Sequence, residues 1–353
     1  MLCGANSRDL TRRSSGLAES LGPGGQRGPP LGPLARRFHR IRTALYVVSA
    51  TACWSGLDDP LYSSFSQPDS TVKQPPRLVC SLVSVSPHVD DAALDGVRAC
   101  GFAEVEIPIR TAGIVDRYGS VPWLTEESTP AQVAELRSRL ETRELRPASC
   151  VCGAGNLWKP QEVERVRAKL RVAAALGAQV VTLVAGESAH DDDYGPICAT
   201  LRMLAEEAQQ LHLLPCVEYA RGLAHNHRLQ LQLLSDVGHP ALKASFDPGL
   251  LHLLNDQVHA EVALAKSCHV VRHVRLRDFG GLPGVRHFPP LGRGGSIPFL
   301  RIYQLLRDIA YRGPWVVTLE GPPTEPELPL ADLLSRLAES LAFLRRTGCL
   351  DRY

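Results

Sequence analysis

The stretch Pro147-Ala148-Ser149-Cys150-Val151-Cys152 is a short apolar run of β character, and Gln179-Val180-Val181-Thr182-Leu183-Val184-Ala185 is another. Between them, 161–176 carries apolar residues at helical spacing and stops at Gly177, a residue suited to the left-handed position that closes a helix. Strand, helix, strand in this order form a βαβ unit, whose strands pair in parallel through a right-handed crossover.

Working outward, the same unit recurs on both sides. Upstream, strands are expected at 78–83 and 104–109, with helices at 89–100, closed by Gly101, and at 129–144, where Thr129 caps and Pro130 takes the first helical position. Downstream, strands are expected at 214–219, 242–246, 269–277 and 315–319. Their companion helices fall at 197–211, 228–237, 256–267, 297–310 and 330–346, with Gly313 ending the turn before the last strand. Eight strand–helix units in residues 76–353 predict a closed (β/α)8 TIM barrel. An open doubly wound sheet is the rival. It ordinarily carries a glycine-rich first turn, whereas Ser84-Val85-Ser86-Pro87-His88 has no glycine.

Residues 1–75 differ in character: Gly22-Pro23-Gly24-Gly25-Gln26-Arg27-Gly28-Pro29-Pro30 has no period, and this segment reads as a mostly disordered, low-complexity extension. Arg36-Arg37 ahead of Ala44-Leu45-Tyr46-Val47-Val48-Ser49-Ala50 and Cys53 offers an export signal as the alternative to a cytoplasmic protein with a bland extension. The chain of 353 residues is 44% hydrophobic and 22% charged, ordinary for a globular protein. The first 75 residues hold nine Lys/Arg against five Asp/Glu, and the rest thirty against thirty-two. The barrel is therefore slightly acidic, which argues against a nucleic-acid partner. No apolar run reaches membrane-spanning length. Ten cysteines without a C-x-x-C pair read as buried small hydrophobes. Cys150 and Cys152, on one side of a strand, have a structural or redox role as the lesser alternative.

Barrels of this kind place chemistry at the C-terminal ends of their strands. The polar residues there are Glu106, Glu187 with His190-Asp191-Asp192-Asp193, Glu218, Asp247, His273, Arg275, Arg277, Asp278 and Glu320. Glu218, Asp247 and Glu320 close the fifth, sixth and eighth strands and would face one another across the mouth. Converging buried carboxylates need a cation, a proton or arginines. The competing expectation is that each caps or salt-bridges its own following helix.

Several segments resemble the sugar phosphate isomerase/epimerase superfamily with its xylose-isomerase-like barrel. They are Gly101-Phe102-Ala103-Glu104-Val105-Glu106-Ile107, Ala175-Leu176-Gly177-Ala178-Gln179-Val180-Val181, Val217-Glu218, Phe246-Asp247-Pro248-Gly249-Leu250-Leu251, Val274-Arg275-Leu276-Arg277-Asp278, Pro290-Leu291-Gly292-Arg293-Gly294-Gly295-Ser296-Ile297 and Tyr311-Arg312-Gly313-Pro314-Trp315-Val316-Val317-Thr318-Leu319-Glu320. The resemblance implies two glutamates, an aspartate and a histidine around a divalent cation. Glu218, Asp247 and Glu320 match those positions. Arg275 stands at the histidine position, Leu250 at the histidine of the Asp-Pro-Gly-His-Leu motif, and Arg293 where an acid is expected. Arginine stays protonated and only donates, so it is no ligand.

Three arrangements stay open. Mg²⁺ or Mn²⁺ sits on the three carboxylates. Or His273 substitutes for the missing histidine, from the same face of the strand but about 6.6 Å deeper at 3.3 Å per residue. Or the site is metal-free, and Arg275, Arg277 and Arg286 hold an anionic small molecule.

The resemblance implies an isomerase or epimerase of a small sugar, sugar phosphate or related polyhydroxy carbonyl compound, with Glu218 and Glu320 as the acid/base pair. A dehydratase or lyase of the same barrel class is an alternative, as is a barrel that has lost its chemistry and binds an anionic small molecule. An abasic-site endonuclease is disfavoured, since it needs many histidines and a basic face. A homo-oligomer is compatible with all of these. His225 and His227 are expected in a solvated loop, and the His190–Asp193 run is expected to cap and be solvated. Trp123 and Trp158 are equally suited to a sugar pocket and to packing under loops.

Overall fold

The computed structural model describes residues 76–350 apart from 116–118, 189 and 323–324. The extension expected over 1–75, with Arg36-Arg37, the apolar run and Cys53, lies outside the described residues.

Eight strands close a parallel barrel: β1 (Arg77–Ser81), β2 (Glu104–Arg110), β4 (Arg146–Val151), β5 (Val180–Leu183), β6 (Leu214–Val217), β7 (Lys243–Phe246), β8 (Val271–Leu276) and β9 (Pro314–Val317). Each pairs with the next, and β1 pairs with both β2 and β9, which leaves no edge. A two-residue strand, β3 (Leu124–Thr125), adds to the end of β2 outside the barrel; nothing in the sequence pattern announced it. The helices are α1 (Asp91–Ala99), α2 (Pro130–Thr142), α3 (Pro160–Leu176), α4 (Tyr194–Gln210), α5 (His227–Val237), α6 (Pro248–Leu254), α7 (Ala260–Ser267), α8 (Phe299–Asp308) and α9 (Leu330–Arg346). Among the described residues no helix is long and apolar enough to cross a membrane.

Local chemistry sets the element ends. Thr129 and Gln132 form a capping box at the start of α2, with Pro130 in the first turn. Gly177 ends α3 at φ +91°. Asn226 accepts from the N–H groups of Arg228 and Leu229 and so starts α5.

Three local expectations are corrected. The strand expected at 78–83 stops at Ser81, and Leu82–Val85 turns into a buried 3-10 helix. The helix expected at 256–267 is found at Ala260–Ser267, and an unexpected helix, α6, precedes it, because Asp247 accepts the Leu250 N–H and Pro248 opens a helix directly after β7. Gly313 stands directly before β9 as expected, and the left-handed residue of that turn is Ala310 at φ 52°. Gly313 is needed for space, since a side chain there would run into the Tyr311 hydroxyl and the Arg272 carbonyl. His227, expected in a solvated loop, is 8% exposed at the start of α5.

The main core lies between barrel and helices, and Val79, Ala148 and Val316 form a small separate cluster contributed by β1, β4 and β9. The barrel also contains polar groups: Glu106, Ser149, Thr182 and His273 have no exposed surface. Satisfying them is what shapes the site.

Candidate functional site

Alternate residues of a strand share a face, so β8 and the residue after it present His273, Arg275 and Arg277 in ascending tiers toward the mouth. At the lowest tier His273 Nε2 lies 2.9 Å from Glu106 Oε2, and His273 Nδ1 lies 2.8 Å from Ser245 Oγ. Ser149 Oγ donates to the same Glu106 oxygen at 3.0 Å. An ionised carboxylate only accepts, so His273 Nε2 carries a proton.

In the middle tier Arg275 Nη2 bridges two carboxylates, Glu106 Oε1 at 2.8 Å and Glu218 Oε1 at 3.0 Å. In the upper tier Arg277 bridges two more, Nε to Asp247 Oδ2 at 3.4 Å and Nη2 to Glu320 Oε1 at 2.7 Å. Arg286 Nη2 donates to the other Glu320 oxygen at 3.0 Å. The Phe288 ring lies under both upper guanidinium groups, 4.7 Å from Arg277 and 5.3 Å from Arg286, a cation–π support.

The surroundings hold these groups in place. Gln230 Nε2 donates to the carbonyls of Val217 and Ser245, tying the ends of β6 and β7. Asp278 accepts the N–H groups of Phe279, Gly292 and Ile297 and fixes the 290–297 loop. Burial pushes the Glu106 carboxyl up, but the Arg275 charge and the His273 bond outweigh it and hold Glu106 well below the usual carboxylate range. For Asp247 the balance reverses: burial raises it, and the Arg277 and Arg275 charges only partly oppose this.

The structure thus brings Glu218, Asp247 and Glu320 to one mouth together with Arg275, Arg277 and Arg286. Whether these residues suit a divalent cation is decided by the donor set. A guanidinium nitrogen lies within ion-pair distance of one oxygen of each of the three carboxylates, at 3.0 Å for Glu218, 3.4 Å for Asp247 and 2.7 Å for Glu320, so a cation would meet positive charge beside every lone pair it needs. His273 offers no substitute ligand, because both ring nitrogens are engaged with Glu106 and Ser245. Among the described residues no group of three or more His, Cys, Asp or Glu is arranged to hold a metal ion. The residues present do not fit Mg²⁺ or Mn²⁺.

Of the remaining sequence candidates, Trp123 is buried with Arg139 over its ring at 5.6 Å. Trp158 Nε1 donates to the Glu187 carbonyl at 3.1 Å. The His190 N–H is bonded to Asp193 in the turn that leads into α4. Cys150 and Cys152 are fully buried, and burial pushes Cys152 up to about 12. Sequence reasoning put Glu106 among the strand-end acids but gave it no role; it is the centre of the buried network. Its one signal was a glutamate between apolar neighbours, Val105 and Ile107, in a strand expected to be buried.

The xylose isomerase-like TIM barrel family matches residues 94–347. The chain belongs to this family. Among solved structures, a xylose isomerase domain protein from Alicyclobacillus acidocaldarius is 18% identical with a TM-score of 0.60, over 77% of this chain and 98% of that one. An L-ribulose 3-epimerase is 16% identical with a TM-score of 0.58, over 76% and 93%. A D-allulose 3-epimerase from Methylomonas sp. in complex with D-allulose is 16% identical with a TM-score of 0.59, over 78% and 98%. No curated protein sequence matches the chain. Within this xylose isomerase-like barrel, Arg275 stands where the resemblance places the histidine ligand, and Arg277, just past the same strand, pairs with Asp247 and Glu320.

Proposed function

We propose that the protein is a cation-independent isomerase or epimerase of a small polyhydroxy carbonyl compound. One observation carries the proposal: Arg275 and Arg277 place fixed positive charge beside Glu218 and Glu320, where proton transfer next to a carbonyl needs it. One glutamate removes the proton from the carbon beside the carbonyl. The C–H electron pair becomes a C=C bond, and the carbonyl oxygen takes the negative charge as an enediolate. A guanidinium stabilises that oxygen. The other glutamate, which starts protonated, returns a proton, to the opposite face of the same carbon for epimerisation or to the former carbonyl carbon for isomerisation, in which case the proton of the neighbouring hydroxyl passes to the enediolate oxygen as the new carbonyl forms. As Arg277 turns from Glu320 Oε1 to the substrate oxygen, that carboxylate oxygen is freed to act as a base while Arg286 keeps hold of Oε2.

The names of the L-ribulose and D-allulose epimerases of the same fold support the choice of a ketose-like substrate. A cytoplasmic setting is part of the proposal, supported by eight free cysteines among the described residues. The test is solvent exchange. Free ketoses are incubated with the protein in D₂O, with and without EDTA, and carbon-bound deuterium is read by NMR. Incorporation that EDTA leaves unchanged is expected; incorporation that requires added Mn²⁺ overturns the proposal.

A second reading is favoured by a different observation. The Glu320 side chain is 2% exposed and carries two guanidinium groups, a poor state for a base. On that reading the barrel binds its ligand without turnover, and ketoses raise Tm without any deuterium incorporation.

A further inference from the structure

One nitrogen of Arg275 stands between two carboxylates and serves them unequally. Nη2 donates to Glu106 Oε1 at 2.8 Å, while Glu218 Oε1 lies 3.0 Å from the same nitrogen. Among the described residues that Glu218 oxygen is buried and accepts no hydrogen bond. A hydrogen bond depends steeply on the direction of the donor N–H, whereas the attraction between charges does not. Glu218 therefore faces the guanidinium charge but keeps the lone pairs of Oε1 open. Glu320 differs, with guanidinium nitrogens at 2.7 and 3.0 Å on its two oxygens. Glu106 has first claim on Arg275 because it cannot swing away. Its Oε2 is held by Ser149 of β4 at 3.0 Å and by His273 of β8 at 2.9 Å, and Ser245 of β7 lies 2.8 Å from the other ring nitrogen of His273. Glu106, Ser149 and His273 have no exposed surface, so solvent does not compete for these bonds.

We infer that Glu106 is a positioning residue: by holding the Arg275 hydrogen bond, it keeps Glu218 Oε1 free to take up a proton. The inference rests on the isomerase reading above. Glu106 itself lies below the mouth and acts only through the guanidinium. Its charge is what matters. In Glu106→Gln the amide oxygen takes the place of Oε2, where it accepts from Ser149 and His273. The amide NH₂ then takes the place of Oε1 and meets Arg275 donor to donor. The guanidinium turns to the nearest carboxylate, Glu218, and a charge-assisted bond forms there. Glu218 Oε1 is then occupied, as Glu320 already is, and must break that bond before it can act.

The test is a double-mutant cycle on the full chain, run twice. Urea unfolding of Arg275→Met, Glu218→Gln and their combination gives the coupling between those two residues, first with Glu106 in place and then in Glu106→Gln. The coupling, read as a ratio of unfolding constants, is expected to rise about fivefold or more once Glu106 is replaced. A residue that serves only the fold loses stability without moving this ratio. Deuterium incorporation from D₂O into free ketoses is the second readout. In Glu106→Gln kcat is expected to fall about tenfold or more with KM nearly unchanged. Glu106→Asp keeps the charge but draws it back by one methylene. It is expected to lie between wild type and Glu106→Gln on both measures, and it carries the test if Glu106→Gln does not fold. A coupling that stays level or falls overturns the positioning role and leaves the isomerase reading standing. A coupling that rises while kcat holds overturns the link to proton transfer. A wild-type protein that incorporates no deuterium into any ketose overturns the isomerase reading, and the cycle still decides whether Glu106 holds Arg275 off Glu218.

Discussion

Arg275 on β8 reaches Glu106 on β2, Nη2 to Oε1 at 2.8 Å, at a point where Glu106 has no exposed surface. A buried carboxylate without a partner is costly, and removing one member of a buried pair typically costs about 3–5 kcal/mol. Arg275→Met is therefore expected to destabilise the barrel by roughly that amount in urea unfolding, since it strands both Glu106 and Glu218. Adding Glu106→Gln to Arg275→Met should restore part of the loss, as the uncharged amide still accepts from Ser149 and His273. A double variant as unstable as the sum of the singles would show that the pair is not coupled.

Arg277 bridges Asp247 and Glu320 as a bound cation would. Replacing it with Met leaves two buried carboxylates near each other without their shared positive charge. Mn²⁺ is expected to raise the Tm of Arg277→Met while leaving wild type unchanged, with thermal shift against EDTA as the measurement. A wild-type protein that Mn²⁺ stabilises by several degrees would contradict the cation-independent site.

The order of tiers along β8 makes the acid and alkaline sides of the stability profile separable. Glu106 is held low by Arg275 and His273 despite its burial, so it contributes stability that is present above the ordinary carboxylate range and lost as pH falls through its folded value. Asp247 is raised by burial, so its contribution is full below that range and is lost as pH rises through its folded value. Urea midpoints from about pH 3 to about pH 8 should therefore diverge for two variants. Glu106→Gln is less stable than wild type near neutrality and approaches it in acid. Asp247→Asn, which keeps the cap of α6 because asparagine caps equally well, gains on wild type as pH rises. Parallel curves for either variant would remove that residue from the pH dependence.

The barrel was legible because its strands and helices differ in period and each carries its own punctuation: Thr129-Pro130 opens α2 and Gly177 closes α3. Glu218, Asp247 and Glu320 were legible as strand-end acids, since strand ends converge in a closed parallel barrel. The pairing was not. Whether Arg275 would face Glu106, Glu218 or Asp247 depends on tilt and stagger, which bring β2 within reach of β8 across the barrel interior, three strands away in the ring and without any sequence proximity. Helix α6 escaped for a local reason: at Asp247-Pro248 one side chain both caps a helix and closes a strand. Ser149 and Ser245 gave no signal, because a serine in an apolar strand reads the same whether it faces a carboxylate or a methyl group.

The 290–297 loop supplies a prediction that separates backbone strain from lack of space. Gly294 and Gly295 are neighbours with different needs. Gly294 sits at φ +82° with nothing near the place a Cβ would take. An alanine there strains only the backbone, by about 1 kcal/mol. Gly295 is outside the left-handed region, but a Cβ there would collide with the Asp278 carboxylate. That carboxylate holds the Phe279, Gly292 and Ile297 N–H groups at 2.9, 2.9 and 3.2 Å. Gly295→Ala is expected to displace Asp278 and leave buried donors unmatched, at about 1–3 kcal/mol each. It should therefore cost more than Gly294→Ala in urea unfolding. It should also speed hydrogen exchange at Gly292 and Ile297, which Gly294→Ala should not. Equal losses for the two variants, with both amides still protected, would mean that Asp278 is not what holds this loop over the barrel mouth.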